Sequence, residues 1–380
     1  MAIISYLTRI VFDFGAIQQV AAEIDTLGVK RVLIVTDPGI VASGLLDRLR
    51  QVLPADRLAA VYSETPANPT EAAVLDAAAV YREQGCDGVI AMGGGSSLDL
   101  GKGVCLQATH GGELAQYALV EGGLSRIRAD VAPLVAIPTT AGTGSEVGRG
   151  AVIIMNDGRK LGLISPYLIP NVALCDPELT LGLPPGFSAG TGMDAMAHCI
   201  ETFLAPAVNP PAEAIALDGL SRASAHVERV YRDGGDREAR WQMMMASMEG
   251  AMAFQKGLGA VHSLSHPLGS LKALNLHHGT LNAVLLPAVI DFNRSAVGDK
   301  LERMTQAMQP LLAESQSSDI AVAISDLNER LGLPSGLAAM GVDEAVFADI
   351  AVAATKDHCH ATNPRAASVD DYINILRAAS

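Results

Sequence analysis

Cysteine is sparse and unpatterned in this chain of 380 residues: Cys86, Cys105, Cys175, Cys199 and Cys359 make an odd count with no Cys-x-x-Cys spacing. That excludes a disulfide framework and fits reduced, buried thiols in a cytoplasm. Long apolar runs are missing as well. No stretch reaches the roughly 18 apolar residues that a membrane span requires, and Met1 to Val11 lacks the ordered segments of a secretory signal. Basic residues are outnumbered, 27 Lys and Arg against 41 Asp and Glu, giving a formal net charge of −14 with no clustered basic stretch. Nucleic acid is thereby excluded as a partner, because phosphate affinity rests on clustered cations. What remains is an acidic globular chain, long enough for about two domains that bury their own cores.

The two halves differ in texture. From Val29 to about Asp176, short apolar runs alternate with longer Ala-rich periodic segments, the pattern of strand and helix units on a parallel sheet. The expected strands are Arg31–Thr36, Leu58–Tyr62, Gly88–Met92, Leu134–Ile137 and Ala151–Ile154, with covering helices over Ala72–Gln84 and Leu98–Thr109. After Pro177 the strand-like runs end, and Ala, Met and Leu recur at helical spacing. The expected architecture is an α/β, Rossmann-like domain over 1–181 and an all-helical domain over 182–380, divided at the Pro- and Gly-containing segment Leu181–Gly186.

Neither Gly-x-Gly-x-x-Gly nor a P-loop is present, yet Gly93-Gly94-Gly95-Ser96-Ser97 directly follows one expected strand and precedes a helix. Consecutive glycines let a backbone approach a diphosphate, and a helix N-terminus offers free N–H groups. A second loop of small residues, Pro138 to Glu146, follows another strand and would share the same edge of the sheet. Asp37, just past the first of the expected strands, stands where a carboxylate could bind a ribose 2′-hydroxyl, favouring NAD over NADP.

In the second half, six of the nine histidines lie between His262 and His360. Asp194/His198 and His262/His266 are i, i+4 pairs, so each presents two polar groups on one helix face among apolar neighbours. One carboxylate with three imidazoles suits a borderline divalent ion such as iron or zinc. Spacing alone leaves both His266 and His277 open as the further imidazole.

The stretches IVTDPG, GGGSSLDLGK, PTTAGTGSEV, LPPGFSAGTGMDAMAHCIE, GLGAVHSLSHPLG and HHGTLNAVLLP together resemble the iron-containing (group III) alcohol dehydrogenases, relatives of the dehydroquinate synthase fold. The resemblance runs from about Phe12 to Ala378. It implies that Asp194, His198, His262 and His278 hold Fe²⁺, or Zn²⁺ or another borderline ion, with His278 preceding the family's Gly-x-x-Asn-Ala. It places catalytic His266 beside the nicotinamide. It also implies that Asp37, Asn68, Gly94, Gly95, Ser96, Asp99, Thr139, Thr140, Thr143 and Lys160 line NAD, that Cys359 faces the pocket, and that the protein is a homodimer or larger assembly.

Departures from the family pattern sharpen the expectation. Lys256 replaces a small residue six positions before His262, about two helical turns away, where a cation could pair with an acidic substrate tail. The segment Ser270–His277 is longer than usual and brings His277 into consideration for substrate. The expected activity is an NAD-dependent, metal-dependent alcohol dehydrogenase or aldehyde reductase in the cytoplasm, acting on a small alcohol or aldehyde such as the ω-hydroxy acid 4-hydroxybutyrate. The rivals are a maleylacetate reductase-like or dehydroquinate synthase-like enzyme and a non-catalytic NAD-binding sensor.

Overall fold

The structure, a computed structural model, describes residues 8–271 and 273–380. Among these, one compact unit holds residues 8–140 and 144–182, and a second holds Ala141–Thr143 and Leu183–Ser380.

The first unit runs β1 (Arg9–Phe12), α1 (Val20–Thr26), β2 (Val32–Val35), α2 (Pro38–Ala42), α3 (Leu45–Val52), β3 (Leu58–Tyr62), α4 (Glu71–Glu83), β4 (Gly88–Gly93), α5 (Gly95–His110), β5 (Leu134–Pro138), β6 (Gly150–Ile154), β7 (Lys160–Ile164) and β8 (Val172–Cys175). Six of these strands form a parallel sheet in the order β1-β8-β5-β4-β2-β3. Because the strands are buried on both faces, their apolar runs are continuous rather than alternating. Val32 and Ile34 join Ile90, Met92, Val135 and Ile137 in one core, while Leu33 and Val35 join Val89, Ala91, Leu134 and Ala136 in the other. The chain steps outward from β2 to β3 and then returns to place β4 on the other side of β2. Such a reversal opens a crevice at the strand C-termini, where open α/β sheets take ligands.

The sequence pattern finds β2 to β6 but not β1, β7 or β8, which are only four or five residues long and flanked by polar groups. It also assigns Ala151–Ile154 to the parallel sheet. That segment instead pairs antiparallel with β7, from Gly150 opposite Ile164 to Ile154 opposite Lys160. The cause is the intervening Asn156-Asp157-Gly158, whose Gly158 adopts φ +89°, so the chain reverses without a crossover.

The second unit contains α6 (Pro185–Leu204), α7 (Pro210–Arg232), α8 (Arg237–Ala253), α9 (Ala260–Gly269), α10 (His278–Asn293), α11 (Lys300–Ala307), α12 (Gln309–Ser315), α13 (Ile320–Arg330), α14 (Phe347–Ala354) and α15 (Val369–Ala378), with no strand among the described residues. Helix α6 packs against α7, α8 and α10 and is buried on nearly every side from Ser188 onward. Small residues permit this enclosure. A side chain at Gly279, on the first turn of α10, would meet the backbone oxygen of Gly190 at 2.2 Å, so only glycine lets α10 approach α6 this closely. Among the described residues, no helix is long and apolar enough to cross a membrane.

Candidate active site

The glycine-rich turn sits at the switch point of the sheet. Gly93 ends β4 at φ +151°, and a Cβ there would meet Ser97 Oγ at 2.5 Å and Asp37 Oδ2 at 2.9 Å. Glycine therefore lets the end of β2 and the start of α5 close together. Asp37 caps α2 by accepting from the Ile40 N–H at 3.0 Å, and its other oxygen accepts from Ser97 Oγ at 2.9 Å. Gly94 is the N-cap of α5, beside Thr140, while Thr139 and Thr140 leave the neighbouring end of β5. Ser96 Oγ donates to the Ala67 carbonyl, and Lys160 Nζ reaches Asn68 Oδ1 at 3.1 Å. Asp37, Asn68, Gly94, Gly95, Ser96, Thr139, Thr140 and Lys160 thus all belong to the unit that carries the parallel sheet, whereas Thr143 groups with the helical unit.

Asp99 lies on the first turns of α5. It is buried, and its oxygens accept from Ser145 Oγ at 2.5 Å and from the Val152 N–H at 2.9 Å. Beside it, Lys102 is fully buried and donates to Ser145 Oγ and to the carbonyls of Gly148 and Gly150. Burial pulls that ammonium down to about 8 against the charges of Asp99 and Glu146. This network fastens β6 to α5, with each Asp99 oxygen accepting a hydrogen bond inside it.

In the helical unit, polar atoms converge on Asp194 Oδ1. His198 Nε2 lies 3.5 Å from it, and the Nε2 atoms of His262 and His278 each lie 3.8 Å away. Helix α6 brings Asp194 and His198 to one face, α9 brings His262, and the close approach at Gly279 carries His278 in at the start of α10. Burial pushes His198 down to about 4, so its ring stays neutral and keeps a lone pair for a metal. His262 Nδ1 donates to Glu201 Oε2 at 2.6 Å, which turns Nε2 toward Asp194. Burial disfavours the charged form of His262, yet the hydrogen bond and charge of Glu201 outweigh it and hold the ring above its usual value.

The donor chemistry fits a divalent ion. Asn282 Nδ2 donates to Asp194 Oδ1 at 2.7 Å and sits 3.3 Å and 3.2 Å from the Nε2 atoms of His262 and His278. One amide thus serves a carboxylate and two imidazoles, a set that a cation would satisfy together. Atoms bound at about 2.0–2.2 Å to one tetrahedral ion stand roughly 3.5 Å apart, close to the 3.5 to 3.8 Å between Asp194 Oδ1 and each imidazole, and one ligand atom each of Asp194, His262 and His278 lies within 4.8 Å of the others. The histidine doublet is resolved by position: His277 caps α10, its Nδ1 accepting from the Thr280 N–H, and its ring meets Phe187 edge-on, while His278 points at Asp194.

Three contributors escape pattern reading. Glu201 lies one turn beyond His198 on α6 and accepts from the Val261 N–H as well as from His262. Such a carboxylate–histidine pair orients a metal ligand and raises its basicity. Glu201→Gln is expected to weaken metal affinity by about 10- to 100-fold in chelator competition; unchanged affinity would remove Glu201 from that role. Asn282 is the second contributor. The third is Asp357, whose Oδ2 accepts from His266 Nδ1 at 2.8 Å. Burial opposes ionisation of Asp357, but the charge and hydrogen bond of His266 hold it well below the usual carboxylate range. As an ionised acceptor it holds His266 Nδ1 as the hydrogen-bond donor.

Lys256 does not reach this cluster. Gly257 at φ +106° breaks the chain before α9 begins at Ala260, so the helical turns assumed between Lys256 and His262 do not exist. The lysine is 1% exposed, and its ammonium donates to the carbonyls of Thr202, Phe203 and Ala205 at the end of α6, with Glu213 at 3.2 Å. It caps a helix C-terminus, and its ammonium is committed to these oxygens rather than to the acidic substrate tail expected from the sequence. Cys359 is buried near Asp357 and His266.

A family model for iron-containing alcohol dehydrogenase matches residues 8–177, and one for the C-terminal part of that family matches residues 188–380. The chain belongs to the iron-containing alcohol dehydrogenase family, a family of oxidoreductases. It is 57% identical to the 4-hydroxybutyrate dehydrogenase of Cupriavidus necator over 99% of each chain. Its fold matches a solved 1,3-propanediol oxidoreductase with a TM-score of 0.91 at 33% identity, covering 100% of both chains. It also matches the sulfoacetaldehyde reductase of Bifidobacterium kashiwanohense in complex with NAD+, with a TM-score of 0.88 at 26% identity, covering 100% of this chain and 98% of that one.

Proposed function

We propose that the protein is a cytoplasmic, homo-oligomeric, NAD-dependent 4-hydroxybutyrate dehydrogenase that interconverts the hydroxy acid and its semialdehyde. The observation that carries the metal dependence is the convergence of His198, His262 and His278 on Asp194 Oδ1, with Asn282 Nδ2 beside Asp194, His262 and His278. The substrate assignment is supported by the relative at 57% identity that bears this name. Asp194, His198, His262 and His278 would hold the ion, iron or another borderline divalent metal. When bound, the ion supplies a Lewis acid for the substrate oxygen and the dinucleotide takes up the hydride.

The remaining chemistry belongs to the chain. Glu201 and Asn282 hold His262 and Asp194 in their aim before substrate arrives. His266 Nε2 takes the hydroxyl proton, and Asp357 steadies the imidazolium that results. The turn from Gly94 to Ser96 and the N-terminus of α5 take the diphosphate, and Asp37 the ribose. NADH oxidation with succinic semialdehyde beside propanal tests the substrate. A higher kcat/KM for the semialdehyde is expected, and equal values would leave an alcohol dehydrogenase of other substrate. Asp37→Asn, which keeps the helix cap and removes the charge, is expected to raise use of NADP relative to NAD by about tenfold, or about 1.4 kcal/mol. An unchanged ratio would place cofactor selection elsewhere.

A further inference from the structure

A second group of metal-ligating side chains stands beside the Asp194 cluster. His266 on α9 meets the turn after α14, where Asp357, His358 and Cys359 are consecutive, and one ligand atom from each of the four lies within 4.8 Å of the others. Asp357 is the hub. Its Oδ2 accepts from His266 Nδ1 at 2.8 Å, its Oδ1 accepts from the Cys359 N–H at 2.8 Å, and His358 Nδ1 stands 3.7 Å from Oδ1. The rings of His266 and His358 stack at 5.4 Å with 20° between their planes, which keeps both beside the same carboxylate. Cys359 is 2% exposed, whereas the His358 side chain keeps 18% exposure and leaves an approach from solvent.

We propose that His266, Asp357, His358 and Cys359 form a second metal site, one that selects a thiophilic divalent ion such as Zn²⁺. The argument is the donor set. Two imidazoles, a carboxylate and a thiolate match the ligands zinc accepts, and sulfur distinguishes this set from the all-nitrogen-and-oxygen set around Asp194. Binding is an exchange of protons for the ion with no change of oxidation state. The Cys359 thiol releases a proton to solvent, the His266 proton moves from Nδ1 to Nε2, and the hydrogen bond from His266 to Asp357 gives way to bonds to the ion. An ion there would also hold the imidazole that the proposed reaction uses for its proton, so excess zinc inhibits. That consequence, unlike the site itself, rests on the relay role of His266.

The test uses the holoenzyme carrying one Fe²⁺ per chain, titrated with Co²⁺ without oxygen. A near-ultraviolet sulfur-to-cobalt charge-transfer band is expected, saturating at one added equivalent. Cobalt that merely replaces iron at Asp194 gives no such band, because that set holds no sulfur. The band is expected to vanish in Cys359→Ser, and the apparent affinity for cobalt to fall at least about tenfold in His358→Gln. No band in the unaltered enzyme, or a band that survives Cys359→Ser, overturns the site. In a parallel arm, Zn²⁺ is added to working enzyme and inhibition is read relative to each variant's own rate. Inhibition that disappears in Cys359→Ser supports the site and the relay together. A band without inhibition upholds the site and removes the relay role from His266.

Discussion

Asp194→Asn is expected to lower kcat/KM by about 10³-fold or more, the several kcal/mol that a bound Lewis acid contributes to the transition state. The substitution is nearly isosteric. The side-chain oxygen can still accept from Asn282, so the packing of α6 against α10 survives and the circular dichroism spectrum is expected to match that of the unaltered enzyme. What is lost is the negative charge at the point where three imidazole nitrogens meet. Metal content after dialysis against a weak chelator is therefore expected to fall well below one ion per chain. A variant that keeps both its metal and its rate would show that the ion is held elsewhere.

Lys256→Ala is expected to cost about 3 kcal/mol of stability, the scale found when a buried ionic group is removed from its partners. The lysine serves the last turn of α6, where helix geometry leaves carbonyls without intrahelical partners and where the macrodipole favours a cation. Lys300 donates to two of the same carbonyls and also pairs with Glu213, so the cap is weakened rather than abolished. The measurement is thermal or denaturant unfolding beside KM for the semialdehyde. A lower midpoint with an unchanged KM is expected; a raised KM at unchanged stability would restore an acid-tail role for this side chain.

The contrast between Lys256 and the histidines explains what the sequence makes legible. His262 and His266 share one uninterrupted helix, so their i, i+4 spacing places both rings on the same flank of α9. The spacing from Lys256 to His262 looks equally helical in the sequence, but Gly257 and Gly259 end that regularity and turn the lysine away. The parallel sheet was readable because β2, β4 and β5 are buried on both faces and carry unbroken apolar runs, whereas β1, at the edge of the sheet, is only partly buried. Glu201, Asn282 and Asp357 were hidden for another reason. Each acts on a partner from a different helix, 61, 88 and 91 positions away in the chain, and no local period records such a meeting.

A single divalent ion held by Asp194, His198, His262 and His278 is proposed to carry the NAD-dependent dehydrogenase activity. Stripping the protein of metal and following NAD reduction with 4-hydroxybutyrate as Fe²⁺ or Zn²⁺ is returned tests this. Activity absent from the stripped protein and restored in proportion up to one equivalent per chain is the predicted result. Turnover by the stripped protein at the rate of the holoenzyme would contradict it.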